Sequence, residues 1–121
     1  MIRSALLLAL LSAVPLSHAA PDLTTVSERS AFQRTGRYDE VIKLCADFQR
    51  AYPKQVKCIN FGTTPEGRPM KALIVTRSSA FTPQAAKQRG LPVVLVQGGI
   101  HAGEIDGKDA GFLALREVLE N

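Results

Sequence analysis

The chain has 121 residues, of which 45% are hydrophobic and 6% aromatic, and it carries a net charge of +4. This length fits a single small domain. The basic residues are scattered and few aromatic residues lie among them, so the charge predicts a solvated surface and no nucleic-acid partner.

The first 19 residues have the layout of a secretory signal peptide. A basic start at Arg3 precedes an apolar run over residues 5–14, and Ser17-His18-Ala19 forms a small-residue cleavage pattern. The apolar run is shorter than the roughly 20 residues of a membrane-spanning helix. We therefore predict export to a periplasm or to the extracellular space, without stable membrane insertion after residues 1–19 are removed.

An arm and a helix are predicted next. Residues 20–34 are polar without clear periodicity, which indicates an N-terminal arm. Thr35 is predicted to cap a helix whose apolar residues recur every three or four positions, and Pro53 is expected to end that helix. The apolar stripe consists of Tyr38, Val41, Ile42, Cys45, Phe48 and Tyr52.

A β-hairpin is predicted after this helix. Residues 55–61 and 70–76 read as strands on either side of the turn GTTPEGR, residues 62–68. The second strand is apolar on both faces, which is typical of a central strand covered on both sides. The polar residues 77–90 are predicted to be a connection.

A third strand is predicted over residues 92–97, followed by glycines and a helix with a broad apolar face over residues 105–119. This order of elements predicts an α/β fold, a mixed β-sheet with helices on both faces. Three strands are too few for such a sheet, so we expect residues 35–121 to be the N-terminal portion of a larger domain.

Cys45 and Cys58 are the only two cysteines, and their spacing is not that of a structural zinc cluster. Export would allow them to form a disulfide, which would contribute on the order of 3 kcal/mol for a loop of this size. Two buried free thiols are the alternative.

The stretch VVLVQGGIHAGEIDG, residues 93–107, contains the candidate site. Gly98, Gly99 and Gly103 allow sharp turns at the end of a predicted strand, where ligands of open α/β sheets gather. His101 and Glu104 follow there, and an imidazole with a carboxylate is half of a catalytic zinc site of two histidines and one glutamate.

Other interpretations of this stretch are weaker or purely structural. A phosphate loop needs lysine where Glu104 stands, and a dinucleotide loop needs glycine where Ile100 stands. A serine hydrolase needs a GxSxG elbow, which the sequence lacks. The structural alternative is a loop whose Glu104 and Asp106 merely favour the dipole of the following helix.

From Thr35 onward the chain resembles the opening of the carboxypeptidase A-like zinc metallocarboxypeptidases. TGRYDEVIKLCADF, the GTTPEGR turn and the GGIHAGE loop carry the resemblance, in the order of the family. The resemblance implies that His101 and Glu104 are the first two ligands of Zn²⁺. It also implies an exopeptidase that removes C-terminal residues from peptides through metal-activated water, with residues 35–121 as an incomplete catalytic domain.

Two departures bear on activity. Gly103 stands where digestive members have arginine, which leaves open a deacylase or amidase acting on amino-acid or cell-wall peptide derivatives. His18 leaves with the predicted signal peptide, so the second histidine ligand, the substrate-binding arginines and the general base are expected downstream. Asp106 or Asp109 could replace the missing ligand in principle, although acidic residues are common near the start of a helix. We expect this polypeptide alone to be inactive. A non-catalytic exported binding domain is the alternative outside enzymes.

Overall fold

The computed structural model describes residues 20–101 and 103–121, and the predicted signal peptide lies outside them. The described elements are α1 (Val26–Arg29), α2 (Tyr38–Ala51), β1 (Val56–Thr63), β2 (Pro69–Val75), α3 (Pro83–Gln88) and α4 (Asp106–Glu120). Among these described helices, none has the length and apolar content needed to cross a membrane.

The core forms where α2, α4, β1 and the N-terminal arm meet. Its buried side chains are Leu23, Leu44, Phe48, Val56 and Phe112. The rings of Phe48 and Phe112 stack with their centroids 5.8 Å apart, which packs α4 against α2. Cys45 and Phe48 of the predicted stripe are buried, and Leu44 joins them on the same helix.

The start of α2 differs from the prediction, whereas its end agrees. Arg37 occupies the N-cap position without a side-chain capping bond, so the predicted cap at Thr35 is wrong. Thr35 precedes the cap position by two residues, too far back for the bond that a cap makes to the first turn. Helix α2 ends at Ala51, just before Pro53, as predicted.

Two short helices were not predicted. In the arm, α1 is a single turn held by a reciprocal bond pair between Thr25 and Glu28, the capping-box pattern. In the predicted connection after β2, Thr82 caps α3 and Pro83 occupies its first position. Both helices carry local sequence signals, but they are too short to show apolar periodicity.

Strands β1 and β2 form the predicted hairpin and pair antiparallel, with a register irregularity between Asn60 and Gly62. Gly67 in the connecting turn has a φ of 79°, a conformation that favours glycine. Helix α2 packs against this hairpin.

A disulfide joins Cys45 of α2 to Cys58 of β1, one of the two states that the sequence left open. Beside it, the amide of Cys58 donates a hydrogen bond to the side-chain oxygen of Gln49 at 2.8 Å. The helix and the hairpin are therefore connected covalently as well as by packing.

The predicted third strand is wrong for the described residues. Residues 91–100 form no strand and pair with neither β1 nor β2. Residues 93–96 are 79 to 84% exposed. Extended backbone becomes a strand only when a neighbouring strand supplies hydrogen-bond partners, and the described chain supplies none here. The described sheet is thus two-stranded and antiparallel rather than mixed, and β2 is not a central strand, although sheet and helices remain compatible with an α/β fold.

Candidate metal site

Glycines fold the loop between residue 97 and α4 back onto that helix. Gly99 and Gly103 have φ values of 71° and 97°, which other residues rarely adopt. Gly98 lies against the backbone of Gly107, and a Cβ on Gly98 would come within 2.9 Å of the carbonyl carbon of Gly107. Close approach and positive φ together explain why this loop is rich in glycine.

The loop brings the two predicted ligands together. Nδ1 of His101 lies 2.7 Å from Oε1 of Glu104, and the amide of His101 donates to Oε2 of Glu104 at 3.2 Å. The amide of Glu104 in turn donates to the carbonyl of His101 at 3.2 Å. The side chains are 78% and 51% exposed, so the pair is open to solvent.

These bonds also set the charge of the carboxylate. The hydrogen bond from the His101 side chain, followed by that from its backbone amide, lowers the pKa of Glu104. Glu104 is therefore ionised at neutral pH, and its Oε1 faces the ring nitrogen. Zinc binds an ionised carboxylate and an imidazole nitrogen without its proton, so binding through Nδ1 would displace the proton that the ring donates to Glu104.

The pair fits two positions of a zinc ion. Tetrahedral zinc, at about 2.0–2.2 Å from each donor, holds neighbouring ligand atoms roughly 3.3 Å apart. The present separation of 2.7 Å is that of a hydrogen bond, so the two donor atoms would have to move apart by roughly 0.6 Å to bind the ion. Within residues 20–101 and 103–121, no group of three or more His, Cys, Asp or Glu side chains is arranged to hold a metal.

Neither predicted substitute completes the site. Asp109 is buried, and its carboxylate oxygens accept hydrogen bonds from Thr35 and Lys108 at 2.7 and 2.6 Å. Asp106 accepts a bond from the amide of Gly107 at 3.0 Å. Among the described residues, neither aspartate joins His101 and Glu104 in a three-ligand group.

The carboxylate of Glu104 bonds to His101, and the residue lies next to the start of α4. Ile105 is the N-cap residue of α4, which has no side-chain cap, and the carboxylate of Glu104 turns back to His101 instead. Asp106 and Asp109 supply the acidic charge in the first turn of the helix.

A comparison with known protein families gives a match for this chain. A family model described as zinc carboxypeptidase matches residues 41–121, which include the hairpin, the glycine loop and α4. The chain belongs to the zinc carboxypeptidase family. No curated protein and no solved structure matches it.

The first stretch that carries the resemblance, residues 35–48, contacts the end of the hairpin turn and helix α4. The hydroxyl of Tyr38 donates to the carbonyl of Pro69 at 2.8 Å, and the guanidinium of Arg68 lies 5.6 Å from the centre of the Tyr38 ring. Thr35, 74 residues from Asp109 along the chain, bonds to it directly. Sequence reasoning missed these contacts because no local pattern relates residues so far apart.

Proposed function

We propose that this chain is part of an exported zinc exopeptidase that removes C-terminal residues from peptides, with His101 and Glu104 as two of its zinc ligands. The convergence of the two side chains within 2.7 Å, in a loop that the family match covers, carries the proposal. Zinc bound there would lower the pKa of a water molecule that attacks a peptide carbonyl.

His101 and Glu104 would hold the metal in the orientation that their loop gives them. The amide of His101 fixes Oε2 of Glu104, which leaves Oε1 facing Nδ1 of the ring. Since every one of these bonds lies between two residues three apart, the loop presents both donors on one side. The exposure of both side chains leaves room for the ion and for a substrate.

We further propose that the 121-residue chain by itself binds zinc weakly and has negligible peptidase activity. The described residues supply two ligands, whereas catalytic zinc sites have three protein ligands and one open position. Release of C-terminal residues by the purified chain, dependent on both zinc and His101, would contradict this proposal.

A zinc titration followed by NMR tests the ligand assignment. Zinc is expected to shift the ring resonances of His101 in the unmodified chain, with a much smaller effect in Glu104→Gln. In His101→Ala, zinc binding should be lost. Glu66→Gln, which alters an exposed carboxylate in the hairpin turn, is the control and should respond like the unmodified chain. Equal zinc binding by the unmodified chain and His101→Ala would contradict the assignment of His101 as a zinc ligand.

The sequence of the full coding region would distinguish the three proposed functions. A later histidine followed by a glutamate, with arginines between them, favours the peptidase acting on free C-termini. The metal ligands without those arginines favour a deacylase or amidase, a reading that Gly103 leaves open. A sequence without further ligands favours a non-catalytic binding domain.

A further inference from the structure

Three polar side chains, Thr35, Lys108 and Asp109, connect the first turn of α4 to the segment before α2; we call them the α4 lock. The hydroxyl of Thr35 donates to Oδ2 of Asp109 at 2.7 Å. The ammonium of Lys108 donates to Oδ1 of Asp109 at 2.6 Å and to the hydroxyl oxygen of Thr35 at 2.8 Å. The three groups form a closed triangle in which every pair is hydrogen-bonded.

Because Asp109 is buried, the hydrogen bonds of this triangle are needed to stabilise its carboxylate. Asp109 is 7% exposed, and a carboxylate removed from water is costly unless it is paired and hydrogen-bonded. Both oxygens of Asp109 are bonded, and Lys108 offsets its charge. The lock is therefore satisfied in one arrangement of the first turn of α4 against Thr35, and a shift of that turn would leave a buried carboxylate without partners.

The same turn contacts the loop over residues 98–104, which carries His101 and Glu104; we call it the metal loop. Gly98 packs directly on the backbone of Gly107, the neighbour of Lys108. The bonds between His101 and Glu104 are internal to the loop, so they bring the two donors together without deciding where the loop lies in the domain. That position depends on the contact with the first turn of α4.

We propose that Thr35, Lys108 and Asp109 are positioning residues that hold the loop carrying His101 and Glu104 in place. The stacking of Phe112 on Phe48 anchors α4 about one turn further along, and the lock anchors the end that faces the loop. The role in zinc binding rests on the proposed function, whereas the ordering of the loop does not.

Hydrogen exchange of the metal-free chain, measured by mass spectrometry on peptides covering residues 98–105, tests the lock. Thr35→Val keeps the side-chain shape and removes the hydroxyl, and Asp109→Asn removes the charge. We expect exchange in the loop to accelerate about tenfold in both, the size expected for one lost hydrogen bond. Thr35→Ser, which keeps the hydroxyl, should restore slow exchange.

Asp47→Asn is the matched control. Asp47 is as buried as Asp109 and is ion-paired with Lys43 and Arg50, but it lies on α2. A loss of global stability alone would accelerate loop exchange in this variant too, so the variants are compared at temperatures where their unfolding free energies are equal. Loop exchange that is the same in Thr35→Val, Thr35→Ser and Asp47→Asn would overturn the proposal, and this holds even if Asp109→Asn fails to fold.

A zinc titration of the same variants separates the two proposals. A weaker zinc-induced shift of His101 in Thr35→Val, with normal binding in Thr35→Ser, would show that the lock positions the ligands. If the unmodified chain binds no zinc while the difference in exchange persists, the proposed metal function fails and the lock stands. If zinc binds but the exchange is the same in all variants, the lock fails alone.

Discussion

Two apolar regions of this chain meet opposite environments. Leu44 and Phe48 on α2 are almost completely buried, whereas residues 93–96, equally apolar, are about four-fifths exposed. A helix satisfies its backbone hydrogen bonds internally, so α2 needs only a surface to pack on. A strand needs a neighbouring strand as well. An apolar run therefore indicates that burial would be favourable, and tertiary partners decide whether it happens.

The metal loop lies between these extremes. It adjoins the exposed segment, yet its glycines and the bonds between His101 and Glu104 give it a defined shape. Because those bonds join residues only three positions apart, they form without any pairing of residues 91–100 with β1 or β2. The candidate site thus has a local geometry that does not depend on strand pairing.

The largest expected effect comes from the same substitution made in each region. Leu44→Ala should lower the free energy of unfolding by about 2–5 kcal/mol because it leaves a cavity in the core. Leu95→Ala should change it by less than about 0.5 kcal/mol, as for other surface positions. Urea unfolding measures both values. Equal costs would break the comparison, since they would mean that Leu95 is buried in solution.

The disulfide allows a second test, of how much of the stability of the buried region around α2 comes from a covalent bond. Replacing Cys45 and Cys58 together with alanine should cost about 3 kcal/mol by the loop-entropy estimate. Thermal or urea unfolding with and without reductant measures the effect. The reductant should leave the double variant unchanged, and an unmodified chain that is equally stable with and without reductant would contradict the prediction.

Contacts between the N-terminal arm and Glu40 of α2 provide a third test. It asks whether the stable region of the chain includes the arm. A Cβ on Gly36 would overlap the carboxylate of Glu40, whose Oε1 accepts from the amide of Val26 at 2.5 Å and lies near Arg29. Gly36→Ala should therefore cost about 1–2 kcal/mol, the value of lost hydrogen bonds to a charged group.

Gly111→Ala is the matched control for this substitution. An added Cβ there meets no atom within 4 Å, and the residue lies inside α4. Alanine should stabilise the helix by about 0.5–1 kcal/mol. In a Glu40→Ala background, Gly36→Ala should lose most of its cost, and an unchanged cost would show that the overlap with Glu40 is not the cause.

The smallest effect is the response to acid of the contact between the arm and α4. The hydrogen bonds from Arg116 lower the pKa of Glu28. Burial raises it by a smaller amount, and the bond from the amide of Thr25 lowers it further. A lowered pKa in the folded state stabilises the fold above the unfolded-state value, near 4.5, and this stability is lost as the pH falls through the folded value. Urea unfolding at pH 7 and at lower pH should show this loss.

Two variants check the assignment of the acid response. Glu28→Gln should flatten part of the pH profile, and Glu66→Gln, at an exposed position in the hairpin turn, should leave the profile as it is. A profile of Glu28→Gln that parallels that of the unmodified chain would assign the acid sensitivity to other groups.

Much of the fold could be predicted, but only where local patterns suffice. The stripe that places Cys45 and Phe48 on one face revealed α2, and the turn around Gly67 revealed the hairpin. Helices α1 and α3 were missed because one or two turns show no periodicity, although Thr25 and Thr82 signal them as caps. The third strand was predicted wrongly because its composition is that of a strand while its pairing is a non-local property.

The candidate site divides in the same way. The pairing of His101 with Glu104 follows from three-residue spacing between glycines, so the sequence could predict it. The contact of Thr35 with Asp109 could not be predicted, and it changes the interpretation of both residues. Thr35 was expected to cap α2, and Asp109 was considered as a possible metal ligand. Instead, the two side chains are hydrogen-bonded to each other.

By itself, the sequence determined the long helices, the hairpin, the disulfide partners, the family and the glycine loop with its two donors, because these depend on residues close in the chain or on distinctive motifs. Only the tertiary structure decided which apolar residues are buried, that residues 92–97 pair with no strand in the described part of the chain, and that the α4 lock forms. Each of these depends on groups that are distant in the chain, and folding brings such groups together only when burial and hydrogen bonding outweigh the conformational entropy that is lost.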